Sequence, residues 1–525
     1  MNSKIADLLQ NKGIKKLYKD LNGRKYNFVT KILSCVGKTN EYYYWPLCLD
    51  DARDKNSLDI DTCSTSYCVS ILSVIKNRTQ TCEYDEWIKG GLKTLLKLRL
   101  QNGTFPPVID IDVLKKNSVE YTGGIAMSDN YFALTTFLDA GFLNREFEYS
   151  DILPKDLKNY EKRVDFILGT IKFLDKSMVV QTSTGGRQSG WYYTSDTYGK
   201  EPVFLTTINI IILLNRICDI LNKEPEFDKE IEYISGIAQK GINFLTYNAR
   251  QVELAREKYY GIGEKIGFNT ISLIHTCKMV DAFISSNNSD FDDEIINAFQ
   301  MTILKMCEDW FFADTYNYSE RFQLLKSDES KYQNILHESY PESVVLFTII
   351  SILKYSLTNV ASADLKNAVS ENMTSVSSTI IYLIRRLENQ RSQVDQFNGF
   401  FKSHIRRNDG DYPIYASAES YKAIIAWEDL LTCSSCMEED NIIDASNNAI
   451  QFKKLIEAQI ARLTGYKTDT KHIANPAVYE QSIKDCGTLI EKLKAILDIL
   501  SDSNYAQQKE IYESELIEQI QRILT

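Results

Sequence analysis

The residues in this chain best suited to chemistry are carboxylates and aromatic rings placed just ahead of apolar segments. Asp59-Ile60-Asp61-Thr62 runs straight into the apolar stretch TCSTSYCVSILSVI. Two neighbouring carboxylates raise one another's pKa and burial raises it further, so the pair Asp59 and Asp61 could hold a proton. An Asp at that place would equally cap the helix that follows, by accepting its free N–H groups. A second set of carboxylates, Glu338, Glu342, Asp409, Asp411 and Glu419, lies before or within later apolar segments. Two carboxylates at a defined separation are what glycoside cleavage requires. First-turn charge accounts for Glu342, and turn chemistry for Asp411, without any such role.

Rings come next. Tyr42, Tyr43, Tyr44, Trp45, Phe105, Trp191, Tyr192, Tyr193, Tyr198, Tyr259, Tyr260, Tyr412 and Tyr415 fall between the periodic segments. There they could face a cation, stack on a sugar or anchor a partner chain. They would serve as turn and core packing just as well. Tyrosines outnumber tryptophans 31 to 5, which leans toward recognition of ligands with both polar and apolar character. Arg187, Lys200 and the run His404-Ile405-Arg406-Arg407 could meet an anion or remain solvated surface. No metal or cofactor is expected. Cys433 and Cys436 form a lone CxxC, and His275, His337, His404 and His472 are not in ligand spacing with a cysteine pair. Nucleophile-elbow, P-loop and dinucleotide-binding glycine motifs are all missing.

These residues must be held by helices. Amphipathic segments near 22–36, 83–101, 157–178, 229–250, 290–313 and 365–391 carry apolar residues at steps of three and four, as in Leu365, Val369, Met373, Val376, Ile380, Leu383 and Leu387. Between them lie six segments apolar nearly all round, beginning near Thr62, Ser128, Val203, Phe268, Glu342 and Ala418. A helix without a charged face is buried on every side. Outer and inner helices alternating at about 70 residues predict an all-α fold, an (α/α)6 toroid of six helical hairpins. The connections leading into the inner helices are the long ones, and they would gather at one mouth of the ring. Long ordered loops are commonly functional, so the site is expected there. The reading divides the chain into a lead-in helix at 1–21, the toroid at 22–435 and a helical extension at 436–525, which would cap the ring or contact a protein partner.

Composition bounds the rest. The 525 residues are 44% hydrophobic and 25% charged, with a net charge of −11. That balance argues against nucleic-acid or anionic-membrane binding, which needs basic surface. The run Ile208 to Leu214 is much shorter than the ~20 residues of a membrane span, and the N-terminal segment lacks a signal-peptide core. Eleven cysteines, an odd number, fit reduced thiols. A cytoplasmic protein is expected.

Over 22–435 the chain resembles the terpene-cyclase and prenyltransferase-type toroids, the squalene-cyclase-like repeat proteins. Three stretches carry the likeness: Asp59-Ile60-Asp61-Thr62; Gly185-Gly186-Arg187-Gln188-Ser189-Gly190-Trp191-Tyr192-Tyr193 followed by Pro202 and Thr206-Thr207; and Asp409-Gly410-Asp411-Tyr412-Pro413-Ile414-Tyr415-Ala416-Ser417. The acid motif of the family has a further Asp where this chain has Thr62. Its zinc set and aspartate-rich diphosphate site are absent. The reading therefore favours a diverged toroid that binds a ligand or protein at its mouth through Tyr44, Trp45, Trp191, Tyr192, Arg187, Asp411, Tyr412, Tyr415 and Glu419. The resemblance implies, as one alternative, an enzyme protonating an isoprenoid with Asp61 as the acid and Asp59 as its partner; a carbohydrate-active toroid, read from the later carboxylates, is a second alternative.

Overall fold

The computed structural model describes residues 32–46, 59–116, 118–183, 186–193, 201–254, 257–263, 272–285, 300–304, 341–358, 360–390, 414–435 and 480–500, with isolated positions between them. In chain order come β1 (Gly37–Thr39), β2 (Tyr42–Tyr44), β3 (Asp59–Asp61), α1 (Thr62–Thr79), α2 (Asp85–Leu98), β4 (Val108–Asp110), α3 (Met127–Asp139) and α4 (Tyr160–Lys176). Then follow β5 (Met178–Ser183), β6 (Gly186–Trp191), α5 (Phe204–Leu221), α6 (Asp228–Tyr247), β7 (Ala249–Leu254), β8 (Glu257–Ile262) and α7 (Leu273–Ser285). The last are α8 (Pro341–Ser356), α9 (Ala363–Glu371), α10 (Met373–Gln390), α11 (Ile414–Ser435) and α12 (Glu480–Ile499).

Six helices make the wall of a ring. Each of α1, α3, α5, α7, α8 and α11 packs against the next, and α11 returns to α1. Outside them, α2, α4, α6 and α10 cover α1, α3, α5 and α8. The inner helices begin within five residues of the positions expected from the sequence, the largest difference being Leu273 against Phe268. The division follows from composition. In α5, FLTTINIIILLNRICDIL, no charge appears before Arg216, so the helix can be buried on both flanks and its back. Among the described helices it alone is long and apolar enough to cross a membrane by length and composition; here it is a wall of the ring. By contrast α2 buries Ile88, Leu92, Leu95 and Leu98 on one stripe and turns its lysines outward. A left-handed residue ends α1: Gln80, at φ 52°, donates its N–H to the Lys76 carbonyl.

The all-α expectation holds with one addition. The long connections into the inner helices contain antiparallel strand pairs, β1–β2, β3–β4, β5–β6 and β7–β8. In β1–β2 the turn is eased by Asn40, which adopts φ 53°.

What fastens these connections is a repeated clamp. Trp45 N–H donates to Thr65 Oγ1 at 3.1 Å, Trp191 N–H to Thr207 Oγ1 at 3.1 Å and Ile262 N–H to Thr276 Oγ1 at 3.2 Å. In the second repeat Phe105 N–H donates to Asn130 Oδ1 at 3.0 Å. Thr65, Asn130, Thr207 and Thr276 are each the fourth residue of their inner helix. A return bond runs from the residue ahead of the helix: Asp61 N–H to Trp45 O, Val203 N–H to Trp191 O and Ser272 N–H to Ile262 O. Both indoles finish the tie to the preceding outer segment, Trp45 Nε1–H to Ile32 O at 2.9 Å and Trp191 Nε1–H to Leu174 O at 2.7 Å. Gly190 leaves the room this needs, since a Cβ there would sit 2.9 Å from Thr207 Oγ1.

Beyond the ring, α12 buries Cys486, Leu489, Leu493 and Ile496, which join the continuous apolar core of the toroid.

Candidate functional site in the lumen

On the inner helices, incompletely buried positions recur at helical spacing: Ser128, Tyr131, Phe132, Thr135 and Asp139 on α3; Leu205, Asn209, Ile212 and Arg216 on α5; Ile274 and Lys278 on α7. Outer helices cover the backs and neighbouring inner helices the flanks. The remaining stripe faces the lumen.

One level of that stripe is polar. Tyr67, Phe132, Asn209, Lys278 and Glu419 are the sixth residues of α1, α3, α5, α7 and α11. Glu419 lies at the centre. Its Oε1 accepts the Tyr67 hydroxyl hydrogen at 2.7 Å, its Oε2 is 3.6 Å from Lys278 Nζ, and Lys422 Nζ stands 3.7 Å from Oε1. The Lys422 ammonium also sits over the Tyr67 ring, 4.5 Å from its centroid. Tyr67 in turn packs on Phe132, ring centroids 4.5 Å apart. Nearly a full turn deeper on α7 is Asp281, whose Oδ2 accepts from Thr348 Oγ1 of α8 at 3.0 Å. Its Oδ1 has no hydrogen-bond partner among the described residues.

The two carboxyls sit in opposite electrostatic settings. Burial pushes Asp281 up to about 7, a rise that Lys278 and the Thr348 hydroxyl only partly offset. Burial acts on Glu419 in the same sense, but Lys278, Lys422 and the Tyr67 hydroxyl outweigh it and hold the carboxyl at about 2. Burial would lower the Lys278 ammonium, yet Glu419 and Asp281 keep it above its ordinary value. Near neutrality the lumen thus holds an ionised carboxylate and a carboxyl that keeps much of its proton, with a cation between them.

Above this level the site continues to the mouth. Burial raises the Asp129 carboxyl, and Asp61 raises it further. Burial also keeps the Cys63 sulfur in its thiol form, reinforced by Asp61 and Asp129, so it is no ready nucleophile. The facing wall is apolar, with Leu205 and Ile212 from α5, Ile274 from α7 and Phe347 from α8 incompletely buried. Among the described residues no cluster of His, Cys, Asp and Glu could hold a metal ion. His275 is buried, which lowers its pKa, and its Nδ1 lies 3.0 Å from the Gly263 carbonyl oxygen.

The residues singled out from the sequence go to different places. Asp61 caps α1, its carboxylate accepting from Ser64 N–H at 2.5 Å. Asp59 is exposed on β3, in register with Asp110. Trp45 and Trp191 are fully buried in the clamp rather than open to a ligand. Tyr192 is buried, and Tyr44 belongs to a small second core with Ile60, Leu98 and Ile109. Both tryptophans, read as ligand contacts, here tie the connections to the ring. Glu419 is the member that reaches the lumen cluster. Arg187 lies on β6 and Tyr415 on α11, but their side chains, like Asp411, Tyr412, Asp409 and Glu338, lie outside the described residues. Sequence reasoning passed over Tyr67, Lys278, Asp281 and Lys422. A signal was there: Lys278 and Asp281 are charges three apart inside the otherwise uncharged segment LIHTCKMVDAFIS.

No protein-family model matches the sequence, and no curated protein matches it. Solved structures do. The cellobiose 2-epimerase of Spirochaeta thermophila aligns with TM-score 0.51 and 10% identity over 81% of this chain and 98% of that one. An α-1,6-mannanase from Salegentibacter aligns with TM-score 0.45 and 9% identity, covering 78% and 99% of the two chains. For an α-amylase from Clostridium perfringens the values are 0.44 and 12%, over 77% and 96%. At such identity the epimerase likeness speaks for the fold alone, and the fold is the α/α toroid. The expected resemblance thus stands for the ring architecture. These three neighbours are named as carbohydrate-active proteins.

Proposed function

We propose that this toroid is a carbohydrate-active enzyme, with Asp281 as the proton-donating carboxyl and Glu419 as its ionised partner. One observation carries the reading: two lumen carboxyls whose surroundings drive their pKa values to about 7 and about 2, with Lys278 between them. Environments that separate a carboxyl pair in this way assign the acid and the base. A lumen with a hydrogen-bonding wall and an apolar wall suits a sugar ring, which has polar edges and apolar faces. The neighbouring toroid of matching fold is named for action on cellobiose, which supports the substrate class.

In glycoside hydrolysis Asp281 gives its proton to the leaving glycosidic oxygen as the anomeric C–O bond breaks. The Glu419 carboxylate faces the developing positive charge and receives the proton of the incoming water. Lys278 keeps Glu419 ionised before substrate arrives. The test is hydrolysis of a panel of linear gluco- and manno-oligosaccharides by the full chain, with Asp281→Asn and Glu419→Gln alongside. Each variant is expected to lose about 10²–10⁴-fold in kcat while keeping its helical circular dichroism. Turnover unchanged in either variant, or absence of both turnover and binding across the panel, rules the reading out. Binding without turnover would return the lumen to a recognition role.

A further inference from the structure

The lumen cluster also spans the ring from one side to the other. Around the ring the order is α1, α3, α5, α7, α8, α11, so α1 and α7 stand opposite one another. Glu419 of α11 touches both, through Tyr67 at 2.7 Å and Lys278 at 3.6 Å. Phe132 extends the layer to α3 by its contact with Tyr67, and Asp281 extends it to α8 through Thr348. Side chains from four of the six inner helices therefore meet at one level, and the Asp281–Thr348 pair adds a fifth helix about 4 Å deeper, as the lower step of the same floor. The sixth-residue position puts that level five residues below the helix starts, about 8 Å down. Above it stands a collar of the second residues, Cys63, Ser128, Leu205 and Ile274, all incompletely buried. Thr135 and Ile212 lie level with Asp281 on the lower step, and below them Arg216 pairs with Asp139 at 2.6 Å.

We infer that this layer makes the catalytic lumen a blind pocket that receives the free end of a saccharide chain and cannot be threaded by the middle of one. The inference rests on the carbohydrate reading and narrows its substrate class to chain ends and short oligosaccharides. Opening the layer would require breaking the Tyr67 and Lys278 contacts to Glu419 together. That would strip the carboxylate of the partners that keep it ionised, so a threaded polymer and a competent Glu419 exclude one another.

The experiment uses the unaltered chain. A ladder of linear gluco- and manno-oligosaccharides, tagged at the reducing end, is followed over time next to cyclic oligosaccharides of the same linkage, which have no ends. Expected is stepwise shortening of the tagged ladder from one end, with cyclic substrates turned over at least about 100-fold more slowly than linear ones. Early release of mid-length fragments, or equal rates on cyclic and linear substrates, overturns the inference and leaves the carbohydrate reading standing. Inertness toward every linear and cyclic substrate overturns both.

Discussion

Tyr67 and Glu419 are 352 residues apart in sequence, and the hydroxyl of one donates to the carboxylate of the other at 2.7 Å. That bond joins the first inner helix to the last. It also places a carboxylate from the end of the toroid level with the Lys278 side chain of the fourth inner helix, with Asp281 nearly a turn deeper.

Activity should fall as pH rises through about 7, because Asp281 must hold its proton to donate it. The stability effect of this group has the same sign. Its folded pKa lies above the unfolded value, so the folded state keeps a proton that the unfolded chain has released, and stability declines between about pH 4 and 7. Urea unfolding of the parent and Asp281→Asn across that window should show a slope in the first that is reduced in the second.

Lys278→Met removes the larger of the two cationic influences on Glu419. The acid limb of the pH–rate profile should then move up from about 2 toward the ordinary glutamate range. Glu419 contributes stability that is present above its unfolded pKa, near 4.3, and is lost as pH falls through the folded value. Acid unfolding of the variant should accordingly begin at higher pH. An unmoved acid limb in the profile would assign that limb to another group.

The clamp can be tested one repeat at a time. Thr65→Val, Thr207→Val and Thr276→Val each keep the shape of the side chain and strand a buried N–H, at a cost of about 1–3 kcal/mol in unfolding free energy. Gly190→Ala should cost more than Thr207→Val, since the added methyl meets Thr207, Pro202 and Phe244 at 2.9 to 3.0 Å. Denaturant midpoints of the four variants decide the order.

For Asp61 the expected loss is that of a cap. Asp61→Ala should destabilise by about 1 kcal/mol and Asp61→Ser by much less, because serine also accepts from the third N–H of the helix. Removing the carboxylate should also bring the Asp129 pKa down toward its ordinary value, measurable by the carbon chemical shift of a labelled aspartate.

The ring was legible from periodicity because inner and outer helices solve different burial problems, and their compositions differ as a result. Starts such as Thr62, Met127 and Phe204 fall where loss of the charged face placed them. Strand pairs in the connections were not legible, since three to six residues carry too little alternation to separate from a turn. Trp191 shows a different limit. An aromatic in a polar connection reads as exposed until the Thr207 and Leu174 partners that bury it are known. The Glu419 cluster was half visible, because a carboxylate can be noticed alone, whereas its pKa depends on Lys278, more than a hundred residues away in the chain.

A circle completed by its final segment also sets an order of events during synthesis. The flank of α1 that receives α11 has no neighbour until Ile414–Ser435 has left the ribosome. Until then the nascent chain is an arc with two sticky edges, and each edge is complementary to the other end of any second arc. Crowded expression should therefore favour interlocked dimers in which two chains trade their last wall, a by-product of building a closed shape from a linear polymer.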